Sequence, residues 1–162
     1  MTTSPTCILA YTSEDDRYDY VLRSAVETAL SSGAALILYD IDAAGAWGEE
    51  PLPTWVAADG EAEQVPKLLE PADLERAGRI EIARKVTEAR AAGVRAYGWL
   101  TGSKGAGRLA EYADEQNVDL ILLPEDLDDP SFIQSLRGQS VDAIKEETGR
   151  PVVVVRATAV PR

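Results

Sequence analysis

Short apolar segments alternate along the chain with longer stretches in which apolar residues recur every three or four positions. The apolar segments are rich in aliphatic and β-branched side chains and predict strands at residues 7–11, 35–40, 94–100, 119–123 and 151–156. The periodic stretches predict helices at residues 18–32, 71–92, 106–116 and 135–148. Because most of the strand segments are apolar on both faces, they fit a parallel sheet covered by helices. The alternation therefore predicts an α/β fold with right-handed crossovers.

Residues 43–70 interrupt the alternation. This segment is rich in Gly, Pro and acidic residues and carries Trp47 and Trp55. A connection of this length is uncommon in a compact domain and is usually functional or mobile. Two interpretations fit it: a surface excursion whose tryptophans cover the edge of the core, or a lid over a ligand. Since no repeat or linker signature divides the chain, the sequence predicts a single domain over residues 1–162.

Charge and hydropathy narrow the possible partners. The chain has 28 acidic and 16 basic residues, a formal net charge of −12. Such a surface repels nucleic acid phosphates, and no basic stripe overrides it locally. No apolar run is long enough to span a bilayer, and the first residues lack the basic and apolar blocks of an export signal. We expect a cytoplasmic protein that binds neither nucleic acid nor membrane.

Two residue counts exclude several chemistries. The chain contains no histidine, so catalysis by a Ser–His or Cys–His pair and histidine-ligated zinc are excluded. Cys7 is the only cysteine and lies in a predicted strand, so it forms no internal disulfide and fits the packed interior.

The stretch TGSKGAGR at residues 101–108 precedes a predicted helix. Glycines in that position can present backbone N–H groups to an anion, and Lys104 adds positive charge. The order Gly-Ser-Lys-Gly differs from the Walker order, and no G-x-G-x-x-G pattern follows the first strand. A tight strand-to-helix turn is therefore favoured over a phosphate cradle.

Acidic stretches follow the first and fourth predicted strands, at residues 13–19 and 125–129. The first stretch fits helix capping, because acids near a helix N-terminus compensate the dipole. We predict no metal site, since the acids lack the EF-hand order. The alternative is a divalent cation held by Asp126 and Asp128, which carboxylate oxygens could bind. Metal-dependent hydrolysis at Glu125, Asp126 or Asp128 has only the density of acids in its favour.

Taken in order, several stretches resemble the universal stress protein family. CILAYTSED resembles its opening strand and turn, and GRLAEYADEQNVDLILLP its third helix and fourth strand. The stretch from Ala72 to Gly102 is similar to its long second helix and third strand, and GQSVDAIKEETGRPVVVVRA to its last helix and edge strand. The resemblance implies an open five-stranded parallel sheet of order 3-2-1-4-5 with helices on both faces. Ligands of such folds bind where the strand order reverses, which here means loops 12–17 and 124–138.

The resemblance also implies where a nucleotide would bind. Family members that bind ATP carry an aspartate after the first strand, then Gly-x-x-Gly after the fourth, and Gly-Ser or Gly-Thr nine residues later. The corresponding positions here are Thr12, Pro124, Leu127, Gly138 and either Gln139 or Ser140. The resemblance therefore implies a degenerate nucleotide site formed by Thr12, Gly138 and Ser140.

The residues of these two loops disfavour the binding of a phosphate group. Pro124 has no N–H to donate, and each unpaired carboxylate near a phosphate costs about 1 kcal/mol even at a high effective dielectric. Together, seven such carboxylates would offset most of the roughly 8 kcal/mol of a micromolar complex. The acids of the two loops are Glu14, Asp15, Asp16, Glu125, Asp126, Asp128 and Asp129. We therefore predict no cofactor; the alternative is ATP or AMP with Mg²⁺ offsetting the acids.

The last predicted strand consists of Val152, Val153, Val154 and Val155. An apolar strand at a sheet edge invites pairing with another chain, and the resemblance implies a homodimer formed through this strand. We predict a non-catalytic stress-response domain that acts through homodimerisation and association with an unknown protein partner, without ATP. The alternative is a nucleotide-binding member with a variant phosphate loop.

Overall fold

Five parallel strands form one sheet in the computed structural model, which describes residues 5–41, 68–100, 106–125 and 141–157. The strands are β1 (Cys7–Thr12), β2 (Ala35–Asp40), β3 (Ala96–Trp99), β4 (Leu120–Pro124) and β5 (Val152–Val155). Their order is β3-β2-β1-β4-β5, and every neighbouring pair is parallel. The predicted sheet is confirmed. Each strand lies within one residue of its predicted segment or inside it, because a buried parallel strand needs an apolar run.

The helices are α1 (Asp19–Ser32), α2 (Pro71–Arg76), α3 (Ile80–Ala91), α4 (Ala106–Gln116) and α5 (Val141–Thr148). The prediction of one helix over residues 71–92 was wrong. Gly78 adopts a φ of +83°, a conformation that ends α2, and α3 begins two residues later. The predicted start of the last helix, residues 135–140, lies outside the described residues, as does most of the 43–70 excursion with both its tryptophans.

Helices cover both faces of the sheet. Tyr39 and Asp40 are consecutive in β2, so their side chains point to opposite faces. Tyr39 contacts Trp99, which stacks on Tyr112 of α4 with ring centroids 3.8 Å apart. Asp40 instead pairs with Arg79, the residue before α3. The α3 and α4 helices therefore lie on opposite sides of the sheet, as predicted.

The core is centred on the middle strands. Ile8, Leu9, Ala10 and Tyr11 of β1 are completely buried, and so are most of their neighbours in β2 and β4. The Tyr11 and Tyr39 rings meet edge-on at 4.8 Å. Burial, with the neighbouring Tyr39, raises the pKa of Tyr11 well above its ordinary value, so its hydroxyl stays protonated.

Cys7 is half-buried at the start of β1. Burial first, and then the nearby Asp119 carboxylate, raise the pKa of its thiol to about 11. The thiol therefore stays protonated at neutral pH, which makes it a poor nucleophile.

The two edges of the sheet differ. Beyond β3, Leu69 forms an antiparallel bridge with Gly98, with N–O distances of 2.9 and 3.0 Å. Beyond β5, no strand follows in the described part of the chain. Val153 and Val154 of that strand are 47% and 36% exposed. One edge is thus covered by the chain itself, and the other leaves apolar residues in contact with solvent.

None of the helices in the described ranges is long and apolar enough to cross a bilayer.

Candidate functional site at the carboxyl end of the sheet

The strand order reverses between β1 and β4, so the carboxyl ends of these strands form the candidate ligand site. Thr12 ends β1 and is completely buried, and its Oγ1 atom has no hydrogen-bond partner among the described residues. An unsatisfied buried hydroxyl is destabilising by about 1–3 kcal/mol. Of the predicted nucleotide residues, Thr12 alone can be placed, because Gly138 and Ser140 lie outside the described residues.

The loop after β1, residues 13–17, is ordered by its own side chains. The Ser13 hydroxyl donates to Asp15 Oδ1 at 2.7 Å, and the Arg17 backbone N–H and Nε donate to the same oxygen at 3.2 and 3.1 Å. The hydrogen bond from Ser13 is the largest cause that lowers the pKa of Asp15. Asp15 is therefore a turn-forming carboxylate that stays ionised.

Lys85 of α3 holds the same loop from the other side. Its side chain is 2% exposed, and its Nζ donates to the backbone oxygens of Ser13 and Asp15 at 2.6 and 2.5 Å. The Asp19 carboxylate of α1 lies 3.1 Å from the same nitrogen. A buried ammonium needs such a set of acceptors, because a charge without partners is expelled from a protein interior.

Two further contacts attach the start of α3 to this end of the sheet. Glu14 Oε2 accepts the backbone N–H of Ile82 at 2.8 Å and so caps the helix from a distant loop. Asp40, completely buried at the end of β2, accepts from Arg79 Nε at 2.6 Å. Hence the first turns of α3 are held against the carboxyl ends of β1 and β2.

Glu125, the first residue after β4, is also a structural acid. Its Oε2 accepts the backbone N–H of Ala157 at 2.9 Å, and its own N–H donates to Tyr20 Oη at 3.1 Å. Sequence reasoning treated Glu14, Asp15 and Glu125 as uncompensated charges facing a phosphate. The structure gives each of them a hydrogen-bond partner within the protein, so their electrostatic opposition to an anion is weaker than expected.

The predicted metal ligands Asp126 and Asp128 lie outside the described residues, as do residues 101–105 of the glycine-rich stretch. Within the described ranges, no group of three or more Cys, Asp or Glu side chains could hold a metal ion.

The comparisons with known proteins identify the family. The model of the universal stress protein family matches residues 6–156. The chain belongs to the universal stress protein family. No curated protein sequence matches it.

Solved universal stress proteins share this architecture. A universal stress protein in complex with cAMP has a TM-score of 0.54 at 18% identity, covering 96% of this chain and 99% of that one. One from Archaeoglobus fulgidus in complex with dAMP has a TM-score of 0.52 at 16% identity, covering 95% and 99%. The protein UspA from Lactobacillus plantarum has a TM-score of 0.56 at 15% identity, covering 93% and 97%. At these identities the likeness shows the universal stress protein fold.

Proposed function

We propose that this universal stress protein domain acts without catalysis, through homodimerisation along β5 and association with other proteins. The observation that carries the proposal is the contrast between the sheet edges. Leu69 covers the β3 edge, whereas β5 offers exposed Val153 and Val154 with no described strand beyond them. An open apolar edge of this kind is a template for pairing unless it is protected.

The backbone of β5 supports a symmetric pairing. The Ile121 N–H donates to Pro151 O, so the polar groups of residue 151 face β4. Because these groups alternate along a strand, those of Val153 and Val155 also face inward, and those of Val152, Val154 and Arg156 face outward. A second copy related by a two-fold axis could pair antiparallel with this outward row, which is the isologous contact that most homodimers use.

Sedimentation velocity over a wide concentration range tests the dimer. Val154→Pro removes an outward N–H and leaves the inward ladder to β4, so we expect it to be a folded monomer. Leu30→Lys, at a 49% exposed apolar position on α1, is the matched control and should dimerise normally. A wild-type chain that remains monomeric at the highest concentration contradicts the proposal.

A second candidate function is the binding of an adenine nucleotide at the carboxyl end of the sheet. The buried hydroxyl of Thr12 favours it: this group has no hydrogen-bond partner among the described residues, and a ligand polar group would satisfy it. Relatives of the same fold are described in complex with cAMP and dAMP.

Calorimetry with AMP and ATP, with and without Mg²⁺, tests this candidate. Thr12→Val keeps the shape of the side chain and removes the hydroxyl, so it should weaken binding and leave the free protein at least as stable. No heat at millimolar nucleotide, together with no nucleotide released from purified protein on denaturation, removes the candidate.

A further inference from the structure

The side chain of Glu125 continues the β4–β5 ladder beyond the end of the strands. Pro124 of β4 pairs with Val155, the last residue of β5. Two residues later, the Ala157 N–H donates to Glu125 Oε2 at 2.9 Å. Ala157 is in phase with the inward-facing residues 151, 153 and 155, so the carboxylate takes the place that a backbone carbonyl of β4 would occupy.

Holding Ala157 inward has a consequence for the residue before it. With both Val155 and Ala157 anchored toward β4, the backbone N–H and C=O of Arg156 point away from the sheet. The outward row then consists of Val152, Val154 and Arg156. We propose that Glu125 is a positioning residue for the dimer edge, which it lengthens from two outward residues to three. This inference rests on the proposed homodimer.

Simple geometry shows how much the third residue adds. In a two-fold antiparallel pairing centred on Val154, each Val152 faces Arg156 of the other copy. Facing residues of a hydrogen-bonded pair exchange both N–H···O bonds, so this register gives about six interchain bonds, of which about four involve Arg156. If the ordered edge ended at Val155, the interchain hydrogen bonds of Arg156, about four of the six, would be lost.

The other contact of Glu125 fixes its position. Its N–H donates to Tyr20 Oη on α1, and the Tyr20 ring meets the Tyr18 ring edge-on at 6.2 Å. Tyr18 is almost completely buried, with the Arg17 guanidinium 5.0 Å from its ring centroid. Glu125 is therefore anchored to the β1–α1 region as well as to the end of β5.

The test compares Glu125→Ala with Glu125→Gln. The glutamine oxygen can still accept from Ala157 N–H, whereas alanine cannot. By sedimentation we expect the alanine variant to dimerise about tenfold more weakly, and the glutamine variant to stay within about threefold of wild type. Glu146→Ala, an exposed acid on α5, is the control for the loss of one negative charge.

A second readout separates this inference from the dimer itself. In the monomeric Val154→Pro background, Glu125→Ala should speed hydrogen exchange of the Ala157 amide, and the amides of β1 should not change. An unchanged Ala157 amide, or an alanine variant that dimerises as tightly as wild type, overturns the role of Glu125. A wild-type chain that never dimerises overturns the proposed function instead.

Discussion

Replacing Lys85 with methionine should destabilise the domain and release the loop after β1. Methionine has a similar length and suits a buried position, so the change removes the ammonium with little loss of volume. In the wild-type protein that ammonium donates hydrogen bonds to the backbone oxygens of Ser13 and Asp15 and forms an ion pair with the Asp19 carboxylate. The side chain is 2% exposed, so water cannot take over its contacts without opening the structure.

The expected magnitude follows from what each acceptor loses. Hydrogen bonds to charged groups contribute about 1.5–3 kcal/mol each, and removing one partner of a buried ion pair costs about 3–5 kcal/mol. The Asp19 side chain is 38% exposed and can be rehydrated, and the variant no longer buries a charge. Both effects reduce the loss, so we expect the free energy of unfolding to fall by about 3 kcal/mol, the lower end of the range for a buried ion pair. For a domain of this size that is a decrease in Tm of roughly 6–12 °C.

Urea denaturation and hydrogen exchange measure the two consequences. Arg84→Met is the matched control: Arg84 is the neighbouring residue, its side chain is 48% exposed, and it pairs with the exposed acids Glu81 and Glu88. We expect a much smaller loss of stability there than in Lys85→Met, because exposed ion pairs contribute little. In Lys85→Met the amides of residues 14–17 should exchange faster than they do in the wild-type protein, and this increase should exceed any increase in β1. A loss below about 1 kcal/mol, with unchanged loop exchange, would refute the anchoring role of Lys85.

Three smaller predictions concern stability. Asp119 accepts four hydrogen bonds from three donors, the Thr6 N–H, the Thr6 hydroxyl and the Cys7 N–H. Burial raises the pKa of Asp119, but these hydrogen bonds outweigh burial and lower it. The stabilising effect should therefore be full above about pH 4, the unfolded pKa, and decline as pH falls below it, so urea curves of wild type and Asp119→Asn should converge in acid. Gly98→Ala places a Cβ 2.8 Å from Leu74 Cδ1 and should cost about 1–3 kcal/mol in urea unfolding. Gly107→Ala, within α4 and with no atom within 4 Å of the new Cβ, should instead stabilise by about 0.5–1 kcal/mol.

The strands were predictable because their signal is local. Four strand segments are nearly continuous apolar runs, which is what a strand buried on both faces requires. The order of the strands is not a local property, and it came from the resemblance to a known family. The break in the second predicted helix was missed because Gly78 falls in phase with the apolar residues Leu74 and Ile82. Only its φ of +83° shows that it ends α2.

The contacts of the candidate site could not be predicted, because their partners are far apart in the chain. Lys85 and Ser13 are 72 residues apart, and Glu14 and Ile82 are 68 apart. In the sequence Lys85 looks like a solvated charge on a helix. One feature of the sequence does indicate burial: Lys85 falls on the same side of α3 as the buried apolar residues Ile82, Val86 and Ala89. A cation on that side needs acceptors from another element.

The acids at the carboxyl end bear on the choice between the two candidate functions. If Glu14, Asp15 and Glu125 were free charges, their repulsion alone would argue against a nucleotide. Each instead has a hydrogen-bond partner: Ile82 N–H, the Ser13 hydroxyl and Ala157 N–H. The acidic charge near β1 and β4 is therefore weaker evidence against nucleotide binding than the sequence alone suggests.

Glu125 connects the two candidate functions, dimerisation and nucleotide binding, because it lies near both sites. Its carboxylate accepts a hydrogen bond from the N–H of Ala157, two residues after β5, the strand beyond which no other follows in the described part of the chain. A ligand that drew Glu125 or its backbone away would also release Ala157 and shorten the edge available to a second copy. If a nucleotide does bind at Thr12, dimer affinity and nucleotide affinity should therefore be linked, and linkage requires the effect to be equal in both directions. Measuring dimerisation with and without AMP, in wild type and in Glu125→Gln, tests this coupling: equal dimer affinity in all four cases would show that the edge and the carboxyl-end site are independent.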